Sequence, residues 1–104
     1  MDEPQVLTKL VNAQAMHAAH PEFSVPSDHE LMTITNDDFV KLCRHGERFW
    51  LRVVANRGEF LLGEINNDLC LPDNAQLTIG QIVKFRHCHV YAIAKPGVVG
   101  GLLS

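Results

Sequence analysis

The stretch 46–69, GERFWLRVVANRGEFLLGEINNDL, decides the fold of this chain. Residues 48–55 alternate in character and are β-branched or aromatic at most positions, which is typical of a β-strand. Asn-Arg-Gly at 56–58 then places glycine where a three-residue hairpin turn needs a positive φ. Residues 59–66 form the return segment. The stretch therefore predicts a β-hairpin at the centre of the chain.

A three-residue turn also sets the expected pairing between the two strands of this hairpin. Val53 would lie opposite Leu61, and Leu51 opposite Gly63. Both pairs belong to an apolar face, which we expect to be the core. That face consists of Phe49, Leu51, Val53, Ala55, Leu61, Gly63 and Ile65. A shift of one residue would exchange the faces of the return strand, so the faces of the outgoing strand are the firmer prediction.

The opposite face of the hairpin is mixed and poses the functional question. It carries Arg48, Trp50, Arg52, Val54, Phe60, Leu62 and Glu64. In the expected register, Trp50 lies opposite Glu64 and Arg52 opposite Leu62. Contiguous apolar groups of this kind are seldom left bare. Two interpretations stay open: the N-terminal helix covers this face, or the face is a recognition surface, in which tryptophan and arginine are common hot spots.

The rest of the chain predicts a single α+β domain, 1–104. Residues 2–19 have apolar side chains at three- and four-residue steps and predict a helix. Residues 20–30 read as a connector, 31–94 as a β region and 95–104 as a loose tail. We expect the helix to pack on a bent, mostly antiparallel sheet of about five strands, with an SH3-like barrel as one candidate form.

A nine-residue pattern occurs twice in the chain. Ile34–Leu42 reads ITNDDFVKL and Leu77–Phe85 reads LTIGQIVKF. The two copies can be aligned on their shared Val-Lys pair. A threonine, a turn residue (Asp37 or Gly80) and an apolar residue directly before Val-Lys then also coincide. Each copy predicts a tight turn that begins a strand whose lysine faces water. We interpret the pair as two equivalent strand starts within one domain.

Charge is distributed unevenly along a chain whose net charge is −3. Residues 1–38 contain seven acidic and one basic residue, whereas residues 39–104 contain eight basic and five acidic residues. We favour packing of the acidic part on the basic part; binding of an anionic partner by the basic part is the other interpretation. We find no apolar run near the ~18 residues of a membrane span and no signal-peptide pattern, so we expect a cytoplasmic protein with reduced cysteines and no membrane partner.

Cysteine and histidine cluster near the ends of both copies of the repeat. Cys43 and His45 follow the first copy, and His87 and His89 follow the second. If the two strands were neighbours, these four side chains could converge as zinc ligands. Neither pair has the Cys-x₂-Cys spacing of a strong zinc motif, so we expect no metal and no cofactor. Cys43 or Cys88 beside a histidine lacks any nucleophile motif, so we expect no catalytic residues and no enzyme.

We expect a non-catalytic protein-binding or accessory module. The candidate partner-binding residues are Arg48, Trp50, Arg52, Glu64, Lys84, Arg86 and His89. The partner would be another protein, or a second copy in a homodimer, and a phage or mobile-element inhibitor is a special case of this hypothesis. The alternative is a single-stranded nucleic-acid-binding small β-barrel, in which bases stack on aromatic rings beside basic groups. The acidic net charge of the whole chain weighs against that alternative.

The hairpin resembles a widespread bacterial family of small domains with no assigned function. The family pattern reads Gly-Glu-x-Phe-Trp-Val-x-Val, followed by a turn and a return strand Gly-x-Val-x-Asn. The matching residues are Gly46, Glu47, Phe49, Trp50, Leu51, Val53, Gly63, Ile65 and Asn67 (or Asn66). The resemblance covers roughly residues 38–93 and implies a shared fold. It implies no catalytic residues, and it does not specify the N-terminal helix.

Overall fold

A computed structural model describes residues 4–96 of the protein. Two helices and six strands follow one another along this part of the chain. They are β1 (Gln5–Val6), α1 (Ala13–Ala19), α2 (Asp28–Met32), β2 (Phe39–Arg44), β3 (Glu47–Asn56), β4 (Leu61–Ile65), β5 (Ile82–Phe85) and β6 (Ala92–Ala94). Two short 3₁₀ turns lie at Pro72–Asn74 and His87–His89.

The strands form one mixed sheet in the order β1-β5-β4-β3-β2-β6. All neighbours are antiparallel except β1 and β5, which run parallel. The predicted α+β class is confirmed, and the sheet has six strands rather than about five. A closed barrel is not seen within residues 4–96, so the SH3-like form stays a prediction.

The predicted core face of the central hairpin is confirmed except at Ala55, which pairs with Leu62 of the opposite face. Its large side chains are at most 1% exposed, namely Phe49, Leu51, Val53, Leu61 and Ile65. Neighbouring strands extend this face with further buried residues, and the loops add others. These are Val40, Leu42, Val83 and Phe85 from strands, and Leu7, Leu31, Ile34, Leu77 and Val90 from the segments between them.

The predicted register of the hairpin is wrong by two residues. Val53 pairs with Gly63 instead of Leu61, and Leu51 pairs with Ile65 instead of Gly63. The turn spans four residues, 57–60, and β3 contains a bulge between Val53 and Ala55. Because side chains alternate with a period of two, this shift of two residues keeps the faces of Leu51 and Val53 and of their partners. Beyond the bulge the pairing moves by one more residue, so Ala55 pairs with Leu62 and lies on the side opposite the predicted core face.

Both copies of the repeated pattern adopt the same turn. Asp37 and Gly80 occupy equivalent places and both have positive φ, 72° and 90°. In each turn the N–H of the next residue, Asp38 or Gln81, donates to a threonine carbonyl three residues back, at 3.1 and 3.2 Å. The side chains of Asp38 and Gln81 accept from the N–H of that same threonine. The sequence repeat is therefore a structural repeat.

The helix predicted for residues 2–19 is confined to Ala13–Ala19, and residues 2 and 3 lie outside the described part. Asn12 begins the helix by accepting a hydrogen bond from the N–H of Ala15 at 3.0 Å. The preceding residues are extended instead, because β1 adds to the edge of β5 and buries Leu7. Lys9, with a φ of 64°, then turns the chain towards α1.

Two further boundaries differ from the prediction. The predicted connector, 20–30, contains the start of α2. A capping box between Ser27 and Glu30 begins this helix. Residues 31 and 32, predicted as the start of the β region, are therefore the end of a helix. The last strand covers only Ala92–Ala94, because His87–His89 form a 3₁₀ turn. Of the predicted tail 95–104, only residues 95 and 96 lie within the described part.

Candidate partner-binding face

The side of the sheet opposite the core is the candidate site, and we call it the outer face. The side chains of β2, β3, β4 and β5 that alternate with the buried ones point to this side. They are joined by two aromatic rings from adjoining segments. The outer face comprises Lys41, Arg48, Trp50, Arg52, Leu62, Glu64 and Lys84 on strands, together with Phe60 and Tyr91.

An ion pair lies at the centre of the outer face. Arg52 and Glu64 are cross-strand partners, and Arg52 Nε lies 3.4 Å from Glu64 Oε1. Arg52 also donates from Nη1 to Asp37 Oδ1 at 2.7 Å. The hydrogen bond to Asp37 and the charge of Glu64 raise the pKa of Arg52 above its ordinary value. Two carboxylates thus balance the single guanidinium at the centre.

Trp50 lies beside this centre, under a lysine. Lys41 is its cross-strand partner, and Lys41 Nζ is 5.0 Å from the centroid of the Trp50 ring. The Trp50 backbone is fixed on its other side, because its N–H donates to Asn67 Oδ1 at 2.6 Å. Trp50 is half-buried in this environment. Glu64, which was expected opposite Trp50, pairs with Arg52 instead because of the register shift.

Two further cations of the outer face also lie over aromatic rings. Lys84 Nζ is 4.2 Å from the centroid of Phe60, and the guanidinium of Arg48 is 5.3 Å from the centroid of Tyr91. Each distance is within the range in which a cation is attracted to a ring. Within residues 4–96, all three cation–aromatic pairs of the protein therefore lie on this face.

A shallow cavity of about 250 Å³ lies at the Arg48 end of the outer face. Lys41, Arg48 and Tyr91 line it from the sheet, and residues 22–24 line it from the loop after α1. Burial raises the pKa of the Tyr91 phenol, which further favours the neutral hydroxyl. This end offers two cations and one hydroxyl to a bound group.

The predicted site residues fall into two groups that meet at Lys84. Lys84 belongs to the outer face, and it also lines a second cavity of about 280 Å³ with Arg86, His89 and Phe60. The Arg86 N–H donates to His89 Nδ1 at 3.1 Å. Burial, with a smaller effect from the Arg86 charge, lowers the pKa of His89, which favours the neutral imidazole. Arg86 and His89 therefore flank the outer face and are not part of it.

The four candidate metal ligands do not form a site. Cys43 is buried in β2, whereas His45 is exposed in the turn between β2 and β3. His87 and His89 lie in the 3₁₀ turn beyond β5. In the part of the chain that the structure describes, no three histidine, cysteine or acidic side chains are grouped as a metal would need.

The N-terminal helix does not provide the expected cover for Trp50. The main neighbour of α1 is the 3₁₀ turn His87–His89, away from the centre of the outer face. The loop after the helix does reach the face, at the cavity beside Arg48. The outer face thus keeps its half-buried aromatic rings under cations rather than under a helix.

Four residues of the outer face are missing from the predicted partner-binding residues: Lys41, Phe60, Leu62 and Tyr91. The mixed face of the predicted hairpin already contained Phe60 and Leu62. The repeated Val-Lys pattern does give the signal for Lys41, since it aligns Lys41 with Lys84. Nothing in the sequence marks Tyr91, which reaches the face because its N–H donates to the carbonyl of Lys41 at 2.8 Å.

A polar network beside the face holds the loop that follows β4. Asn74 is fully buried; its Oδ1 accepts from Arg44 Nη1 at 2.7 Å, and its Nδ2 donates to Glu47 Oε1 at 3.0 Å. Glu47 also accepts from the N–H groups of Cys70 and Leu71. These hydrogen bonds, that from Cys70 foremost, lower the pKa of Glu47 below its ordinary value.

Comparison with known proteins gives no further guide: neither a family model, nor a curated protein, nor a solved structure matches this chain. The resemblance of the hairpin to a bacterial domain family therefore stays a prediction. Among residues 4–96, no helix has the length and apolar character that crossing a membrane would require.

Proposed function

We propose that the protein is a binding module whose outer face recognises an acidic surface or segment of another protein. The observation that carries this proposal is the placement of three cation–aromatic pairs on one side of the sheet. Ring and cation together offer a partner carboxylate both charge and apolar contact. Tryptophan, tyrosine and arginine are also the residues most often found at interface hot spots.

The charges of the outer face define the partner more closely. Arg52 is balanced by Glu64 and Asp37. Within residues 4–96, Lys41, Arg48 and Lys84 lie over rings and form no ion pair. A partner that brings carboxylates would complement these three cations. This supports an interface that steers and orients an acidic partner.

Single-stranded nucleic acid is the alternative occupant of the same face. Two observations favour a protein over it. Phe60, Trp50 and Tyr91 are half-buried and each already has a cation against its ring, which leaves little open ring for base stacking. Glu64 at the centre would also repel an evenly charged phosphate backbone.

The test compares two polyanions. The fluorescence of Trp50, the one tryptophan of the chain, is followed during titration with polyglutamate and with oligothymidylate at equal charge. We expect saturable binding of polyglutamate, weakened about tenfold in Lys41→Gln and in Lys84→Gln. Arg57→Gln, in the exposed turn between β3 and β4, is the matched control and should bind as the wild type does.

Each other outcome of this titration is decisive. Tighter binding of oligothymidylate would replace the proposal by the nucleic-acid alternative. No saturable binding of either polymer, or an equal loss in Arg57→Gln, would overturn it. Association of the protein with a second copy, measured by sedimentation velocity and abolished in Lys41→Gln but not in Arg57→Gln, would identify the acidic partner as the protein itself.

A further inference from the structure

The two halves of the outer face are related by an approximate two-fold axis. The equivalent turns at 35–38 and 78–81 are each anchored to a neighbouring strand. The N–H of Asp37 donates to the carbonyl of Val53 at 2.8 Å, and the N–H of Gly80 donates to that of Ile65 at 2.9 Å. In return, Val53 and Ile65 donate to the carbonyls of Asp38 and Gln81. The unit of β2 on β3 therefore repeats as the unit of β5 on β4.

The Arg52–Glu64 pair lies where this axis crosses the sheet. Arg52 pairs with the first residue of β2, and Glu64 pairs with the first residue of β5. Two residues further along each strand come Lys41, paired with Trp50, and Lys84, paired with Leu62. The two lysines are therefore equivalent positions on opposite sides of the central ion pair.

The sheet geometry sets the separation of the two lysines. β2 and β5 are three strand spacings apart, which is about 14 Å. Because β3 and β4 are antiparallel, the two lysines are also displaced from the centre in opposite strand directions, by about four residues in total or about 13 Å. Measured along the surface of the sheet, the diagonal between them is therefore about 20 Å, which about six residues of extended chain would span.

The charge pattern along this diagonal alternates. Each end has a lysine over an aromatic ring, Lys41 over Trp50 and Lys84 over Phe60. The middle has Glu64 and the already paired Arg52. An anion is favoured at both ends and disfavoured at the centre.

We propose that the outer face binds an extended peptide segment with two acidic groups about six residues apart and neutral residues between them. One acidic group lies at Lys41 and the other at Lys84, so that the segment crosses the sheet diagonally. This inference rests on the proposed function and adds the spacing and direction of the ligand. Evenly spaced phosphates or a continuous acidic run match the alternating pattern less well.

The test uses two peptides of the same composition and net charge. One has two glutamate pairs separated by five neutral residues, and the other has the four glutamates in one block. Binding is measured by the fluorescence of Trp50 and by calorimetry. We expect the spaced peptide to bind at least tenfold more tightly, because only it places a carboxylate at each lysine.

Two variants and a control complete the test. Lys41→Gln and Lys84→Gln should each reduce binding of the spaced peptide to the level of the block peptide, whereas Arg57→Gln should change neither. Equal binding of the two peptides, still weakened by the lysine substitutions, would overturn the spacing and leave the proposed function standing. Absence of binding by both peptides would overturn the spacing together with the proposed function.

Discussion

The ammonium group of Lys41 lies 5.0 Å from the ring centroid of Trp50, directly across the β2–β3 pair. The repeated Val-Lys pattern of the sequence points to Lys41, and the aromatic character of the mixed hairpin face points to Trp50. Because Trp50 is the chain's one tryptophan, tryptophan emission reports on this part of the outer face.

Replacing Lys41 by methionine should remove the charge while it keeps most of the apolar stem. We expect Lys41→Met to lower the free energy of unfolding by about 0.5–1 kcal/mol, the usual contribution of such a pair at a partly exposed site. Urea unfolding followed by Trp50 fluorescence measures this, and the native emission should also shift. Arg57→Met is the control. An unfolding free energy equal to the wild type's, with unchanged emission, would contradict the contact.

We predict that Gly63 tolerates no side chain. The reason is the lack of space around this residue and not its backbone φ angle. A Cβ atom at this position would lie 2.9 Å from Phe85 Cε1 and 3.2 Å from Leu51 Cβ, both in the core. We expect Gly63→Ala to lower the free energy of unfolding by about 1–3 kcal/mol, as overpacking of a core does.

A double-mutant cycle separates this overpacking from other effects of alanine at Gly63. Phe85→Leu alone should destabilise the protein by opening space. Combined with Gly63→Ala, it should cost less than the sum of the two single changes, because the smaller side chain yields to the new methyl group. Strictly additive losses in urea unfolding would show that Phe85 is not what opposes the methyl group.

Asn74 is predicted to be essential for the loop after β4. Its side chain satisfies Arg44, which is 6% exposed and has backbone carbonyls as its other acceptors. Asn74→Ala removes both the acceptor for Arg44 and a donor to Glu47. We expect a loss of at least about 1–3 kcal/mol in the free energy of unfolding, the usual cost of leaving a buried polar group without its partner.

The control for Asn74→Ala is Gln76→Ala, which changes an exposed side chain in the same loop. It should stay within about 0.5 kcal/mol of the wild type in the same urea titration. Equal effects of the two substitutions would mean that the loop does not depend on the buried network.

The sequence predicts the faces of the central hairpin better than its pairing. Phe49, Leu51 and Val53 identify the core side, because they are apolar and every second side chain of a strand points to the same face. The register depends on the bulge beside Val54 and on a four-residue turn, neither of which has a residue signature here. Arg52 therefore meets Glu64 and not Leu62, and the ion pair at the centre of the outer face could not be predicted.

The prediction of a helix over residues 2–19 is wrong in its first part for a different reason. Its apolar residues recur at helical steps, and Leu7 is indeed buried. The segment is nevertheless extended, because its N–H and C=O groups pair with β5, about 80 residues away along the chain. A pattern of neighbouring residues contains no information about pairing over such a distance in sequence. The turn at Asp37 was predicted because its signal is local and recurs at Gly80.

Glu47 provides a pH-dependent prediction for the loop that it holds. Its pKa is lowered in the folded protein by hydrogen bonds from Cys70, Asn74 and Leu71. A carboxyl group whose folded pKa lies below its unfolded pKa stabilises the fold fully above the unfolded value. That stabilisation is lost as the pH falls through the folded value. We therefore expect the loop to loosen on acidification below pH 4.5, the ordinary pKa of a glutamate.

Amide hydrogen exchange at Cys70 and Leu71 measures this loosening directly, since both N–H groups donate to Glu47. In the wild type, protection of these two amides should fall as the pH drops below 4.5, after correction for the intrinsic exchange rate. In Glu47→Gln the same amides should be less protected at neutral pH and should show no such step. Glu30→Gln is the matched control, because the pKa of Glu30 is also lowered, by hydrogen bonds with Ser27 at the start of α2. If the step persisted in Glu47→Gln and vanished in Glu30→Gln, the acid sensitivity of the loop would belong to the helix cap and not to Glu47.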